Sequence, residues 1–186
     1  LFTEEIKLTK PKSLLAGKVS DEVIAEAEDK ILPSLAEAAS ALPFREDAPF
    51  ASDWFNGRRS PEPNPSLRAT VSGLGLATDA AEVYYAIVEA TAFGVKAMVD
   101  TLVDNGVALD SITAIGGIAV KSPFIVQFLA DVLGMDIFVP NLTQACGLGS
   151  AINAAVASGC WPTLIDAQKA MCVTEGVKYT ASSARD

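Results

Sequence analysis

The amino-acid sequence predicts an α/β domain built around a layer of parallel strands. Two observations carry that prediction. After residue 70 the hydrophobic pattern alternates strand, helix, strand, helix, strand, helix, which is how strands joined by crossover helices read. Half of the 186 residues are apolar, enough to bury the core that one such domain needs.

Residues 1–45 are acidic and helical in pattern. Ser20 followed by Asp21 and Glu22 reads as an N-cap with acids in the first turn, where the helix dipole favours them. Ile24, Ala27, Ile31 and Leu35 then recur at helical spacing. Pro33 either kinks this helix or starts a new one. Residues 46–67 are rich in proline and carry Gly57, so loop or edge structure is expected. Residues 71–76 form a short apolar run with two glycines and predict a strand.

Residues 79–104 predict a long helix. Glu82, Glu89 and Lys96 lie seven apart and share one face, and Lys96 can pair with Asp100 at i, i+4. The remainder is apolar and expected to be buried, and Asn105-Gly106 ends the helix. Residues 111–115 predict a buried strand running into Gly116-Gly117. A helix over 122–133 follows, with Phe124, Ile125, Phe128, Leu129 and Val132 as its core face and Gly134 as its stop. Residues 136–139 predict a strand ended by Pro140. Residues 147–158 predict a helix of small residues (Gly147, Gly149, Ala151, Ala154, Ala155), suited to close approach to a neighbour, with Gly159 as C-cap. A helix near 165–171 precedes a polar tail expected to fray.

Composition excludes several chemistries. The formal charge of −9 repels phosphate backbones and anionic bilayers, so neither nucleic acid nor a membrane is an expected partner. No apolar run reaches the roughly 18 residues a spanning helix needs. Three cysteines without paired spacing argue against a disulfide framework or a zinc site and for a reducing, cytoplasmic setting. The absence of histidine removes Ser-His-Asp and Cys-His catalysis. The start at Leu1-Phe2-Thr3, without methionine or a secretory pattern, reads as a cut from a longer protein.

The most informative segment is Ile115-Gly116-Gly117-Ile118-Ala119-Val120-Lys121-Ser122-Pro123. A strand ends in two glycines, which let backbone approach a ligand without a Cβ in the way, and a following helix offers free N–H groups to a phosphate. A tight strand-to-helix turn without a ligand explains the same residues. Gly147-Leu148-Gly149-Ser150-Ala151 lacks the following strand and acid of a dinucleotide fingerprint and reads better as close packing. In Asp53-Trp54-Phe55-Asn56-Gly57-Arg58-Arg59-Ser60-Pro61, a turn at Asn56-Gly57 with solvated arginines competes with a substrate or interface loop. Asp79, Glu82, Asp100 and Asp104 read as a solvated face rather than an acid/base pair.

Taken in register, these segments resemble the carbohydrate kinase (FGGY) superfamily that includes glycerol kinase, xylulokinase and ribulokinase. Gly116-Gly117-Ile118-Ala119 followed by Gln127-Phe128-Leu129-Ala130-Asp131-Val132-Leu133-Gly134 resembles its adenosine-binding signature. Gln144-Ala145-Cys146-Gly147-Leu148-Gly149-Ser150-Ala151 resembles its next helix opening, and Ile87-Val88-Glu89-Ala90-Thr91-Ala92-Phe93-Gly94 its long central helix. The 53–61 segment is similar to that of ribulokinases in particular.

The resemblance implies the actin-like ATPase (ribonuclease-H-like) fold, a mixed sheet flanked by helices, with ATP and Mg²⁺ as cofactors and ribulose or a related sugar as substrate. It implies that Gly116, Gly117 and Ile118 line the nucleotide, with Lys121 or Ser122 near the adenosine; serine stands at 122 where many members carry asparagine. No catalytic residue is assigned in this chain. The aspartate base and most sugar contacts are expected from a missing N-terminal domain of the same protein. Residues 1–45 are then a helical lead-in from that domain and 46–186 the ATP-binding domain. The resemblance also implies arabinose catabolism, and a homodimer is compatible with it. Two alternatives stay open: a kinase for another pentulose or polyol, and a non-catalytic nucleotide-binding module of the same fold.

Overall fold

The computed structural model describes residues 20–43 and 45–182. The helical reading of residues 1–19 and the fraying expected of residues 183–186 lie outside the described residues, as does the side chain of Ile24. Helix α1 spans Asp21–Ser40, and the Ser20 hydroxyl accepts the Val23 N–H at 3.4 Å as the predicted N-cap. It runs through Pro33 as one helix rather than two. Leu35, Ala36 and the fully buried Ala39 pack into the core and hold the turn after the proline in place.

The proline-rich region contributes an edge strand, β1 (Phe50–Ser52), paired antiparallel with β2 (Thr70–Ser72). The strand expected over 71–76 is therefore shorter, and it belongs to this two-stranded ribbon rather than to a parallel layer. Gly73, at φ +79°, turns the chain out of the ribbon, a conformation that favours glycine.

Helix α2 spans Ala80–Asp104 and begins with a reciprocal capping box: the Asp79 carboxylate accepts the Glu82 N–H at 2.9 Å, and Glu82 accepts the Asp79 N–H at 3.0 Å. Asp79 and Glu82 are thus cap residues; Asp79 is exposed, as the solvated-face reading expects, while Glu82 is half-buried. Its buried residues (Ala81, Tyr84, Ala86, Val88, Ala90 and Ala92) all lie in the first half. The second half is more open than its apolar sequence predicts, with Phe93 and Val103 more than half exposed. Lys96 Nζ bonds Asp100 Oδ2 at 2.7 Å as spaced, and the helix ends at Asn105 with Gly106 at φ +83°.

The second sheet has the order β3-β4-β5. Strand β3 (Ile112–Thr113) runs parallel to β4 (Ile137–Pro140), and β5 (Gly176–Tyr179) runs antiparallel on the far side of β4. A one-turn helix, α3 (Gly117–Lys121), follows β3 directly, where the sequence reading places the first helix five residues later. Helix α4 (Pro123–Leu133) stands between two apolar clusters. Phe124, Ile125, Phe128, Leu129 and Val132 face Tyr84, Val88 and Ala92 of α2 as predicted. Val126 and Ala130 face Ile137 and Val139 of the sheet. Gly134 in the left-handed region closes α4.

Helix α5 (Ala145–Ala157) starts two residues earlier than the 147 expected from sequence, and it packs on α6 (Leu164–Met171), which Thr163 caps. A Cβ added at Gly149 would meet nothing within 4 Å, and Ala151 and Ala154 are exposed. The close packing expected of these small residues is therefore not made among the described residues. Strand β5 falls in the tail that the sequence reading left without a strand. Gly176 is required there, because a Cβ at that position would sit 2.7 Å from Phe138 Cζ.

Candidate functional site

The segment singled out by sequence sits at the carboxyl end of β3. Gly116 is the N-cap of α3 with φ +102° and ψ 174°, a conformation open essentially to glycine alone. The positive φ belongs to Gly116 and not to Gly117, which is the first residue of α3. A Cβ added at either glycine would meet nothing within 4 Å, so open space lies in front of both. Ala119 is buried and anchors the turn on the sheet side, while Ile118 is 69% exposed. An apolar side chain held in water beside two bare backbone units is a surface on which a flat ring can rest.

The first turn of α3 leaves its leading N–H groups without intrahelical acceptors. Lys121 is the exposed last residue of α3, and Ser122 is the joint between α3 and α4. The Ser122 N–H donates to Ile118 O at 3.0 Å and its carbonyl accepts the Val126 N–H at 3.3 Å, but its hydroxyl does not cap α4. That hydroxyl instead meets the phenol of Tyr84 on α2. Burial pushes the Tyr84 phenol above the ordinary tyrosine range, and the contact with Ser122 works against that rise. Tyr84, which its sequence position marks only as an apolar-face residue, therefore braces the joint, with Phe124 stacked on it at 6.4 Å between ring centroids. All five residues expected at the site, Gly116, Gly117, Ile118, Lys121 and Ser122, belong to one continuous turn.

The loop at 53–66 is built, not slack. The Gly57 N–H donates to Trp54 O at 3.1 Å, which centres the turn on Phe55-Asn56, one residue before the Asn56-Gly57 position expected, and Arg58 and Asn64 exchange backbone bonds of 2.9 and 2.8 Å. Arg58 donates from Nε to Glu62 O at 2.8 Å and lies over the Trp54 ring at 5.4 Å. It is not the solvated side chain that the turn reading supposes. Asp53 rests against Gly94 of α2, where a Cβ would lie 3.2 Å from its Oδ2, and burial raises its carboxyl above the usual range.

A separate cavity of about 220 Å³ lies between the 42–50 linker and α2, lined by Leu42, Arg45, Phe50, Glu82 and Tyr85 among others. None of the residues expected at the site lines it, and Arg45 there is already bonded to Asp47 at 3.0 Å and Glu82 at 2.8 Å. The β3–α3 turn is the better candidate, because its geometry leaves backbone exposed, whereas the cavity's Arg45 and Glu82 are already bonded to each other. Among the described residues, no three His, Cys, Asp or Glu side chains gather where they could hold a metal ion, and no helix is long and apolar enough to cross a membrane.

Residues 12–158 match the model of the FGGY family of carbohydrate kinases, C-terminal domain. The chain belongs to that family. It is 43% identical over 146 residues to a ribulokinase of Vibrio parahaemolyticus, an alignment covering 78% of this chain and 26% of that protein. It is 43% identical over 136 residues to a ribulokinase of Bacillus licheniformis, covering 73% and 25%. The chain thus spans about a quarter of the length of the curated relatives it matches. Among solved structures, a ligand-bound xylulose kinase from Lactobacillus acidophilus superposes with TM-score 0.69 at 21% identity, covering 83% of this chain and 31% of that one. A Plasmodium falciparum glycerol kinase with ADP gives TM-score 0.65 at 19% identity, covering 81% and 29%. The fold is the actin-like, ribonuclease-H-like one shared with these sugar kinases, with a mixed sheet and flanking helices.

Proposed function

We propose that this FGGY domain is the nucleotide-binding part of an ATP-dependent kinase that phosphorylates ribulose at a primary hydroxyl. The observation that carries the reading is the 43% identity to ribulokinases across more than two-thirds of the chain, joined to an open glycine turn at the end of β3. Residues 1–45 lead in from an upstream domain, with α1 docked on the ATP-binding region 46–186.

Gly116 and Gly117 give the nucleotide close access to backbone, Ile118 offers an apolar rest, and Lys121 and Ser122 lie beside the adenosine. Tyr84 stacks on Phe124 at the start of α4, so the joint after the turn is packed before the ligand arrives and less ordering accompanies binding. The described residues offer no metal-ligand set of their own. Mg²⁺ would spread the triphosphate charge while held by the nucleotide. The aspartate base and the sugar contacts come from the upstream domain, and the exposed, free cysteines suit a cytoplasmic location.

The test compares kcat/KM for ribulose, xylulose and glycerol with the complete kinase, beside the 186-residue chain alone. Preference for ribulose, and no turnover by the chain alone, is the expected result. Preference for xylulose or glycerol would remove the ribulose assignment. Tight ATP binding without phosphorylation of any polyol would favour a non-catalytic module.

A further inference from the structure

We propose that Arg59 is a phosphate-contact residue of the kinase, presented by a loop that its neighbour Arg58 braces. The proposal rests on the kinase reading and deepens it by naming a contact to the phosphorylated reactants.

The structure describes four arginines: Arg45, Arg58, Arg59 and Arg68. Three are occupied by the protein's own groups. Arg45 is held by Asp47 and Glu82. Arg58 is held by Glu62 and the Trp54 ring. Arg68 donates to the carbonyls of Pro65 and Leu67 at 2.9 and 2.7 Å. Arg59 is exposed and makes no hydrogen bond or ion pair with the described residues. Glu62, the one carboxylate inside the loop between the two arginines and Asn64, is already taken by Arg58 at 3.3 Å.

The division of labour between adjacent arginines has a physical consequence. Arg58 spends its fork and its flat face on closing the loop, with the two-way Arg58–Asn64 backbone pair and the Ser66 N–H bonded to Asn64 Oδ1 at 3.0 Å. The root of the loop is seated where Asp53 meets Gly94 of α2. The same helix packs on α4, which follows the β3–α3 turn. The ordering entropy of the loop is therefore met on folding, and a free guanidinium is left on a fixed backbone. A guanidinium grips phosphate through two parallel N–H bonds, a geometry a lysine cannot supply. In a chain of net charge −9 an unneutralised arginine is a local exception to the prevailing field.

The phosphate could be that of the nucleotide or that of the sugar phosphate product, and the experiment separates them. Adenosine, ADP and ribulose 5-phosphate are titrated calorimetrically into the complete kinase, wild type, Arg59→Met and Arg59→Lys, beside melting curves. The expected result is unchanged adenosine affinity, unchanged melting, and a loss of roughly tenfold or more for a phosphorylated ligand with methionine, partly recovered with lysine. Loss confined to ADP assigns the nucleotide; loss confined to ribulose 5-phosphate assigns the product. Equal affinities of wild type and Arg59→Met for both phosphorylated ligands would overturn the proposal, and a lowered melting temperature beside those equal affinities would make Arg59 a partner of a protein carboxylate. A wild type that binds ribulose 5-phosphate through Arg59 but neither adenosine nor ADP would sink the nucleotide reading and leave this one standing.

Discussion

Replacing Gly116 with alanine isolates the backbone term at the site. Gly116 sits at φ +102° and ψ 174°, and an added Cβ has no neighbour within 4 Å. No steric clash contributes, so the cost is that of holding an L-residue in a glycine-only region, about 1–3 kcal/mol. For a chain of this size, that lowers the melting temperature by roughly 2–12 °C. Gly117→Ala is the matched control. Its φ is not positive and its surroundings are equally open, so alanine in the first turn of α3 is neutral or gains up to about 1 kcal/mol. Gly117→Val keeps the fold and loses adenosine affinity, because its side chain enters the space assigned to the nucleotide. Thermal melting of the three variants, with adenosine calorimetry, checks the set. Equal melting of Gly116→Ala and Gly117→Ala would refute the strain argument, and unchanged adenosine affinity in Gly117→Val would reduce the turn to a structural element.

Gly176→Ala places a methyl against the Val139 carbonyl and 2.7 Å from Phe138 Cζ; overpacking there destabilises by about 1–3 kcal/mol, read as a lower urea midpoint with an unchanged slope. The Lys178 ammonium, bonded to Asp136 at 2.7 Å, and then the Ala181 N–H hold the Asp136 carboxyl below its usual value. Its folded pKa lies below the unfolded value of about 3.9, so its contribution is present above that pH and is lost as pH falls through the folded pKa. The melting-temperature gap between wild type and Asp136→Asn should shrink as pH is lowered from 6 to 2, and a constant gap would count against the pair. Asp53 has the opposite sign. Burial raises its carboxyl, so stability falls as pH rises from about 4 through the folded pKa. Asp53→Asn should therefore melt slightly higher at pH 7, with the gap closing toward pH 3.

Sequence alone determined the elements whose signal is local. The long helix α2, the stops at Gly106 and Gly134, the core face of α4 and the Lys96–Asp100 pair follow from periodicity, glycine chemistry and i, i+4 spacing, which need no distant partner. The family was legible for a related reason: Gly116-Gly117 and the segments in register with it are each short and contiguous. What the tertiary structure decided depends on residues far apart in the chain. Strand β5 exists because Gly176 lets the tail lie against Phe138, and the four residues Gly176-Val177-Lys178-Tyr179 carry no such instruction by themselves. The second face of α4 is apolar through Val126 and Ala130, which become core only because β4 stands beside them. Residues 71–76 divide at Gly73 because β1, drawn from the proline-rich stretch, pairs with their first part. Whether each of two adjacent, chemically identical arginines is spent or free was set by where Trp54, Glu62 and Asn64 fell around them. Spacing along the chain encodes which face a residue occupies; only the folded arrangement determines what stands opposite.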